Sequence, residues 1–104
     1  MLCKKHKGGL KMSIGADLVE YLSECHQTED TAIKARELRA LYNLQDKQLR
    51  NVISVLRQDG EPICSSSNGY WYSKEPDDLK KTIRRMEAQV LNMRHSIAGL
   101  YKNL

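Results

Sequence analysis

The last quarter of the chain carries the feature that most restricts how it can fold. From residue 79 onward, apolar residues recur at intervals of four and three without a break. An average period of 3.5 residues places them on one narrow stripe of an α-helix, which is the contact surface of a coiled coil. This stripe is called the seam below. Its members are Leu79, Ile83, Met86, Val90, Met93, Ile97, Leu100 and Leu104.

The residue types of the seam bear on how such a helix pairs. With Leu79 at heptad position d, β-branched residues or leucine occupy the a positions, a pattern that favours two parallel helices. The flanking positions of a parallel pair add no charge pairing: they set Thr82 against Glu87, Gln89 against Arg94 and Ser96 against Tyr101. Antiparallel and heterologous pairing therefore stay open. We predict self-association over about 40 Å of helix, with folding back onto the first helix of the same chain as the alternative.

The pattern of residues 13–75 predicts a series of shorter elements. Ser13 can cap a first helix of about residues 13–26. The polar run 27–30 ends this helix, and residues 31–33 have room for only a single strand bridge. The apolar side of the first helix holds Ile14, Leu18, Leu22 and Cys25.

A second and a third helix follow, joined by a tight turn. Residues 35–42 predict a helix buried through Leu38 and Leu41, and Asn43 can adopt the left-handed conformation that ends it. The third helix, about residues 45–59, has an apolar stripe at helical spacing. That stripe consists of Leu49, Val52, Ile53 and Leu56. The face directed away from it holds Lys47, Arg50, Asn51, Ser54 and Arg57.

A β-hairpin and a final helix complete the predicted elements. Two short β-prone runs, residues 62–65 and 70–73, flank the sequence Ser-Ser-Asn-Gly, and Asn-Gly between such runs is a strong hairpin signal. Pro76 suits the first turn of the final helix, and Asp77 and Asp78 suit its positive end.

This order of elements resembles winged helix-turn-helix modules. Residues 36–50 look like their helix-turn-helix core. Residues 60–72, with the stretches Pro-Ile-Cys and Gly-Tyr-Trp-Tyr, resemble the wing of small phage and prophage DNA-binding proteins. Two positions depart from the usual pattern, because Arg39 stands where a small residue is common and Asn43 where glycine is common. Arg39 therefore requires its helices to part slightly or its stem to reach outward.

The predicted fold class is α+β, mainly α, in three parts. Residues 13–75 form the winged-helix domain and residues 76–104 the dimerisation helix. Residues 1–12 are a basic tail or a mis-assigned start, and their lysines supply the whole formal charge of +4. Lys-Gly-Gly can be encoded by a ribosome-binding sequence, which makes Met12 a candidate initiator. The other interpretation is a basic arm that follows a DNA backbone.

The resemblance places the third helix in a major groove of double-stranded DNA. Arginine suits guanine and asparagine suits adenine, so Arg50 and Asn51 are the leading base readers. Any solvent-facing helix also shows such residues, and their position just after the turn favours the DNA interpretation. The other candidates on this helix are Lys47 and Arg57 for phosphates, with Gln48 and Ser54 for either bases or backbone.

The hairpin supplies further candidates for DNA contacts. Its tip holds three small polar residues that suit phosphates or a minor groove, although any exposed turn prefers the same types. The tip residues are Ser66, Ser67 and Asn68. The neighbouring Tyr70, Trp71 and Tyr72 suit base stacking, but we favour packing, because one face of a small hairpin must cover the core.

Several function classes receive no support from the sequence. No apolar run reaches the roughly 18 to 20 residues of a membrane helix, and no signal-peptide core is present, so a cytoplasmic location is expected. Cys3, Cys25 and Cys64 are widely spaced, which predicts reduced thiols and neither a disulfide framework nor a zinc site. No phosphate loop or catalytic constellation is recognisable, so we expect neither an enzyme nor a cofactor.

The sequence thus predicts a homodimer that binds double-stranded DNA at an inverted repeat. The resemblance implies a phage or prophage transcriptional regulator or a replication-origin binder. The alternative is a winged-helix adaptor that binds another protein through its third helix or its wing.

Overall fold

The structure is a computed structural model, and it describes residues 13–104. This part of the chain is mainly helical, with a two-stranded antiparallel sheet, which confirms the predicted α+β class. Its elements, in order, are α1 (Ile14–Cys25), α2 (Ala35–Tyr42), α3 (Asp46–Gln58), β1 (Ile63–Ser66), β2 (Gly69–Tyr72) and α4 (Pro76–Tyr101). The basic tail and the suggested start at Met12 lie outside the described residues.

A side-chain hydrogen bond sets the start of α1, and a left-handed residue sets the end of α2. Ser13 caps α1, because its Oγ accepts a hydrogen bond from the amide of Ala16 at 3.1 Å. Asn43 ends α2 in the left-handed conformation, with φ 52° and ψ 51°. Arg39 reaches across the same turn, where its Nε donates to the carbonyl of Leu44 at 3.4 Å. Arg39 is half-buried as a whole residue.

A single apolar core lies between α1, α2, α3 and one face of the hairpin. Burial of these side chains supplies the main stabilisation of the domain, at about 25 cal/mol for each Å² removed from water. Two side chains predicted to face the core are instead exposed, since Ile14 is 43 % and Leu41 is 46 % accessible. Ile14 is the first residue of α1, and Leu41 lies one residue before the end of α2. The fully buried members include Leu18, Leu22, Leu38 and Leu49.

The hairpin pairs Ile63 with Tyr72 and Ser66 with Gly69, so only two residues form its turn. A positive φ is found at Gly69, 123°, and at neither turn residue, so the turn differs from the Asn-Gly type that has positive φ at both. The strands start one residue away from their predicted positions. The hairpin itself is confirmed.

The predicted single strand bridge is also present. Ile33 exchanges two backbone hydrogen bonds with Tyr70, at 2.9 and 2.8 Å. This close approach explains Gly69, because a Cβ there would lie 2.2 Å from the carbonyl oxygen of Ile33. A 3-10 turn that the sequence did not predict, Glu29–Thr31, precedes the bridge and is closed by hydrogen bonds between Thr28 and Thr31.

The second face of the hairpin is covered by the first turns of α4. Trp71 is fully buried there, and its indole N–H donates to Oδ2 of Asp78 at 3.3 Å. The backbone amide of Ser65 donates to Oγ1 of Thr82 at 3.2 Å. Cys64 is buried beside them, and desolvation raises the pKa of its thiol. Trp71 is therefore a packing residue, as predicted, and it fixes the direction in which α4 leaves the domain.

Beyond its first turns, α4 extends away from the domain. The seam residues from Ile83 to Leu104 are exposed, and the structure measures 54 × 29 × 24 Å. Leu91 and Tyr101, which lie on α4 outside the seam, are also exposed. The alternative in which this helix folds back onto α1 is therefore wrong.

The cysteines differ from one another. Cys64 is a free thiol, whereas Cys25 takes part in a disulfide, so the prediction of reduced thiols is wrong for Cys25. Cys3 lies outside the described residues. Across residues 13–104 the side chains form no cluster suited to a metal ion. In the same range, no helix has the length and apolar character needed to cross a membrane.

Candidate nucleic-acid interface

The exposed face of α3 is polar along most of its length. Lys47, Ser54 and Gln58 lie along its centre, since at 100° per residue they fall within a narrow sector. The side-chain amide of Gln58 donates to Oγ of Ser54 at 3.1 Å. Gln58 was absent from the predicted contacts, although the same helical spacing that selected Lys47 and Ser54 could have identified it.

The two predicted base readers lie on different flanks of this face. Arg50 is directed towards the hairpin and α4, and its guanidinium forms an exposed ion pair with Asp46 at 3.1 Å. Asn51 is directed towards α1 and lines a shallow depression with Val19 and Val55. One DNA surface centred on the hairpin side would therefore meet Arg50 before Asn51.

Arg57 differs from its predicted orientation, because it is half-buried and turned inward. Its Nε donates to the carbonyl of Ile63 at 2.8 Å, and its Nη2 donates to Oγ of Ser65 at 3.0 Å. Its Nη1 also contacts the sulfur of Met86 at 3.7 Å. Burial lowers the pKa of this guanidinium. The sequence pattern could not show this, because the acceptor carbonyl belongs to a strand that follows the helix in the chain.

Gln48 and the hairpin turn are already engaged within the chain. The backbone amide of Gln45 donates to Oε1 of Gln48 at 2.8 Å, which caps α3. The amide nitrogen of Asn68 donates to the carboxylate of Glu29 at 3.2 Å, and Nζ of Lys34 donates to the carbonyl of Ser67 at 2.7 Å. The turn is thus tied to the segment before α2.

Glu29 is the centre of these contacts. Its carboxylate forms an ion pair with Nζ of Lys81 on α4 at 3.0 Å. Hydrogen bonds from Ser66 and Lys81, together with the charge of Lys81, lower the pKa of Glu29. One acidic side chain therefore joins the 3-10 turn, the hairpin and α4.

A groove lies between α3, the hairpin and α4, and we call it the basic groove. Four cationic side chains line it and no acidic side chain does. They are Lys34, Arg50, Arg57 and Arg85. The polar residues between them include Ser54, Gln58, Ser66, Ser67 and Gln89. The groove therefore joins several predicted DNA contacts into one surface and leaves Asn51 outside it.

Lys34, Arg85 and Gln89 were not among the predicted contacts. They reach the groove from the segment before α2 and from α4, and no local pattern in the sequence connects those positions to α3. Arg85 is exposed on α4, one turn beyond the point where Thr82 packs on the hairpin.

The charges of the described chain are divided unevenly. Residues 13–79 carry seven basic and twelve acidic side chains, whereas residues 80–104 carry six basic and one acidic, Glu87. The basic groove lies where the two parts meet. Its cations are therefore concentrated against a domain background that is acidic, and this contrast makes it the most distinctive electrostatic feature of the surface.

Comparison with known proteins gave no match to a protein-family model, to a curated protein or to a solved structure.

Proposed function

We propose that residues 13–75 form a winged helix-turn-helix that binds double-stranded DNA in a sequence-specific manner. In this proposal α3 enters the major groove, the hairpin lies beside it, and the seam of α4 joins two copies. The observation that carries the proposal is the basic groove, which gathers cations without an acidic side chain although the surrounding domain has an acidic excess. Binding to a polyanion responds to such local potential more than to net charge.

The groove residues suit different parts of a duplex. The ion pair between Arg50 and Asp46 is exposed on both sides, so it contributes little and a guanine edge or a phosphate can replace it. Lys34 and Arg85 suit phosphates, which fix the position of the protein on the duplex. Ser54 and Gln58, in the middle of the α3 face, provide hydroxyl and amide groups for base edges.

The resemblance to phage and prophage DNA-binding proteins supports two biological roles for this activity. A dimer that recognises an inverted repeat can regulate transcription, or it can mark a replication origin. Both roles require the same contacts from α3.

The test is fluorescence anisotropy of the full chain with a mixed-sequence duplex across a salt series. We expect a dissociation constant of roughly 10⁻⁴ to 10⁻⁶ M near physiological salt for this non-specific duplex. The variant Arg50→Ala/Arg85→Ala should bind less tightly, and its salt slope should fall by about 1.8, because two phosphate contacts are removed.

The matched control is Lys74→Ala/Lys102→Ala, which removes the same charge from exposed positions outside the groove. Its salt slope should equal that of the unmodified chain. Equal losses in the two double variants would mean that overall charge or the lysine-rich tail binds DNA, which contradicts the groove. Absence of binding at low salt would overturn DNA binding altogether.

A second candidate function, protein–protein adaptor, is favoured by one observation. Val55 lies on α3, is 56 % exposed, and lines an apolar depression together with Val19, Val52 and Leu56. An adaptor would use this flank of α3, and its partner binding would fall on Val55→Ser and remain unchanged in the groove variant.

A further inference from the structure

The seam of α4 is exposed along most of its length, although Met86 contacts Arg57 of the domain and Met86 and Met93 line one side of the basic groove. Thr82, which packs under β1, is 5 % exposed, whereas the next residue, Ile83, is 52 % exposed. Successive residues of a helix differ by 100° in direction, so the hairpin covers one side of α4 and the seam lies beside that side. A second helix can therefore lie along the exposed part of the seam.

From the charges beside the seam we infer that α4 pairs with α4 of a second copy in an antiparallel arrangement with full overlap. In this register Val90 lies opposite the partner's Met93, and Ile97 lies opposite the partner's Met86. Ile83 then meets the partner's Leu100. Leu79 lies level with the partner's Leu104, which follows the end of α4, so each seam residue from Ile83 to Leu100 has a seam residue opposite it.

Position e holds three charged side chains, Lys80, Glu87 and Arg94. The register follows from Glu87 and Arg94, because in it Lys80 lies opposite the partner's Tyr101, which is uncharged. Glu87 and Arg94 are exposed, and within residues 13–104 neither forms an ion pair. In an antiparallel pair, e positions face e positions, so this register sets Glu87 against the partner's Arg94 and, by the two-fold axis, Arg94 against the partner's Glu87.

Other registers lack this complementarity. When the partner helix is shifted by one heptad in one direction, Arg94 lies opposite the partner's Arg94. When it is shifted by one heptad in the other direction, Glu87 lies opposite the partner's Glu87. A parallel pair places Glu87 against threonine and Arg94 against glutamine. The full antiparallel overlap is therefore the arrangement in which Glu87 and Arg94 each meet an opposite charge.

The distribution of cations on α4 favours the same direction. Four basic residues lie in its second and third turns: Lys80, Lys81, Arg84 and Arg85. Parallel helices bring the two clusters to the same level, where they repel. Antiparallel helices separate them by about 27 Å along the axis at 1.5 Å per residue. That separation exceeds the Debye length of about 8 Å at physiological ionic strength, so the repulsion is screened.

The arrangement also separates the two domains. Thr82, where each domain packs on its helix, lies about 28 Å along the axis from the partner's Thr82. This is close to the roughly 34 Å between successive major grooves on one side of B-DNA. The use of this spacing rests on the proposed function, whereas the pairing itself does not.

The test is sedimentation equilibrium of the full chain without DNA, so its outcome is independent of DNA binding. Glu87→Arg and Arg94→Glu each place two like charges across the axis, and each should weaken the homodimer about 10- to 30-fold. An equimolar mixture of the two variants restores both pairs and should form heterodimers about as tightly as the unmodified chain forms homodimers. The double variant Glu87→Arg/Arg94→Glu should also dimerise normally.

Three results would overturn the inference. The first is a monomeric unmodified chain at concentrations of hundreds of micromolar, and the second is an assembly of more than two chains. The third is equal dimerisation of the unmodified chain and both single variants, which is expected of parallel helices. Circular dichroism of each variant shows that helix content is retained, which separates lost pairing from lost folding.

Discussion

Apolar side chains are buried in the domain and exposed on the distal part of α4. In the domain, Leu18, Leu38 and Leu49 are fully buried by neighbours from the same chain. On α4, Val90 is 53 % and Leu100 is 70 % exposed, although their spacing is as regular as that of any core residue. The domain therefore buries its apolar side chains within residues 13–79, whereas the helix presents a surface that no other part of residues 13–104 buries.

The same two regions also carry net charges of opposite sign, which the overall composition does not show. Residues 13–104 as a whole contain equal numbers of basic and acidic side chains, which argues against binding to nucleic acid. Separated into domain and helix, the charges form an acidic part and a basic part. The basic groove includes Arg85 from α4, so the helix supplies charge that the domain lacks.

The largest expected effect on stability comes from replacing a glycine of the domain, and the same replacement in α4 should have the opposite sign. Gly69→Ala should destabilise the domain by about 3 kcal/mol or more, because the new Cβ meets the carbonyl of Ile33 and φ is positive. Gly99→Ala in α4 meets no atom within 4 Å and should strengthen the helix by about 1 kcal/mol. Urea denaturation should show the loss, and circular dichroism at 222 nm should show the gain.

Gly60→Ala is the control for strain without collision, since its φ is 96° and no atom lies within 4 Å of the added Cβ. Its cost should be smaller than that of Gly69→Ala. If Gly69→Ala and Gly60→Ala reduce the free energy of unfolding equally, the bridge between Ile33 and Tyr70 does not constrain the hairpin. The packing of the hairpin within the domain would then be looser than its contacts indicate.

Local chemistry allowed most of the fold to be predicted from the sequence. The left-handed turn at Asn43, the cap at Ser13 and the hairpin each depend on neighbours within a few residues, and each is present. The site was predicted less well, because the groove depends on tertiary contacts. Arg57 shared its spacing with exposed residues, yet the carbonyl of Ile63 draws it inward.

The second prediction concerns Arg57, which joins the domain to α4. Arg57→Ala should reduce the free energy of unfolding by about 1.5 to 3 kcal/mol, because hydrogen bonds from a charged donor to Ile63 and Ser65 are lost. Lys47→Ala, the control on the exposed face of α3, should change it by less than about 0.5 kcal/mol. Urea denaturation of both variants measures the difference.

The opposite pattern would restore the role predicted for Arg57 from the sequence. Unchanged stability, together with a salt slope of DNA binding reduced by about 0.9, would show that this guanidinium leaves the interior to contact a phosphate. The contact between the domain and the third turn of α4 would then be weaker than its geometry indicates.

The smallest effect comes from Glu29, whose exposed carboxylate ties the hairpin turn to α4. The pKa of Glu29 lies below its ordinary value of 4.5, so the folded protein favours the charged form. Its contribution is complete above about pH 4.5 and disappears as the pH falls through the lowered pKa of the folded state. The side-chain amide signals of Asn68 should shift over this acidic range in NMR spectra. In Glu29→Gln the same signals should be independent of pH there. A titration of Asn68 that persists in Glu29→Gln would mean that another carboxylate controls the turn, and that Glu29 does not tie the hairpin to α4.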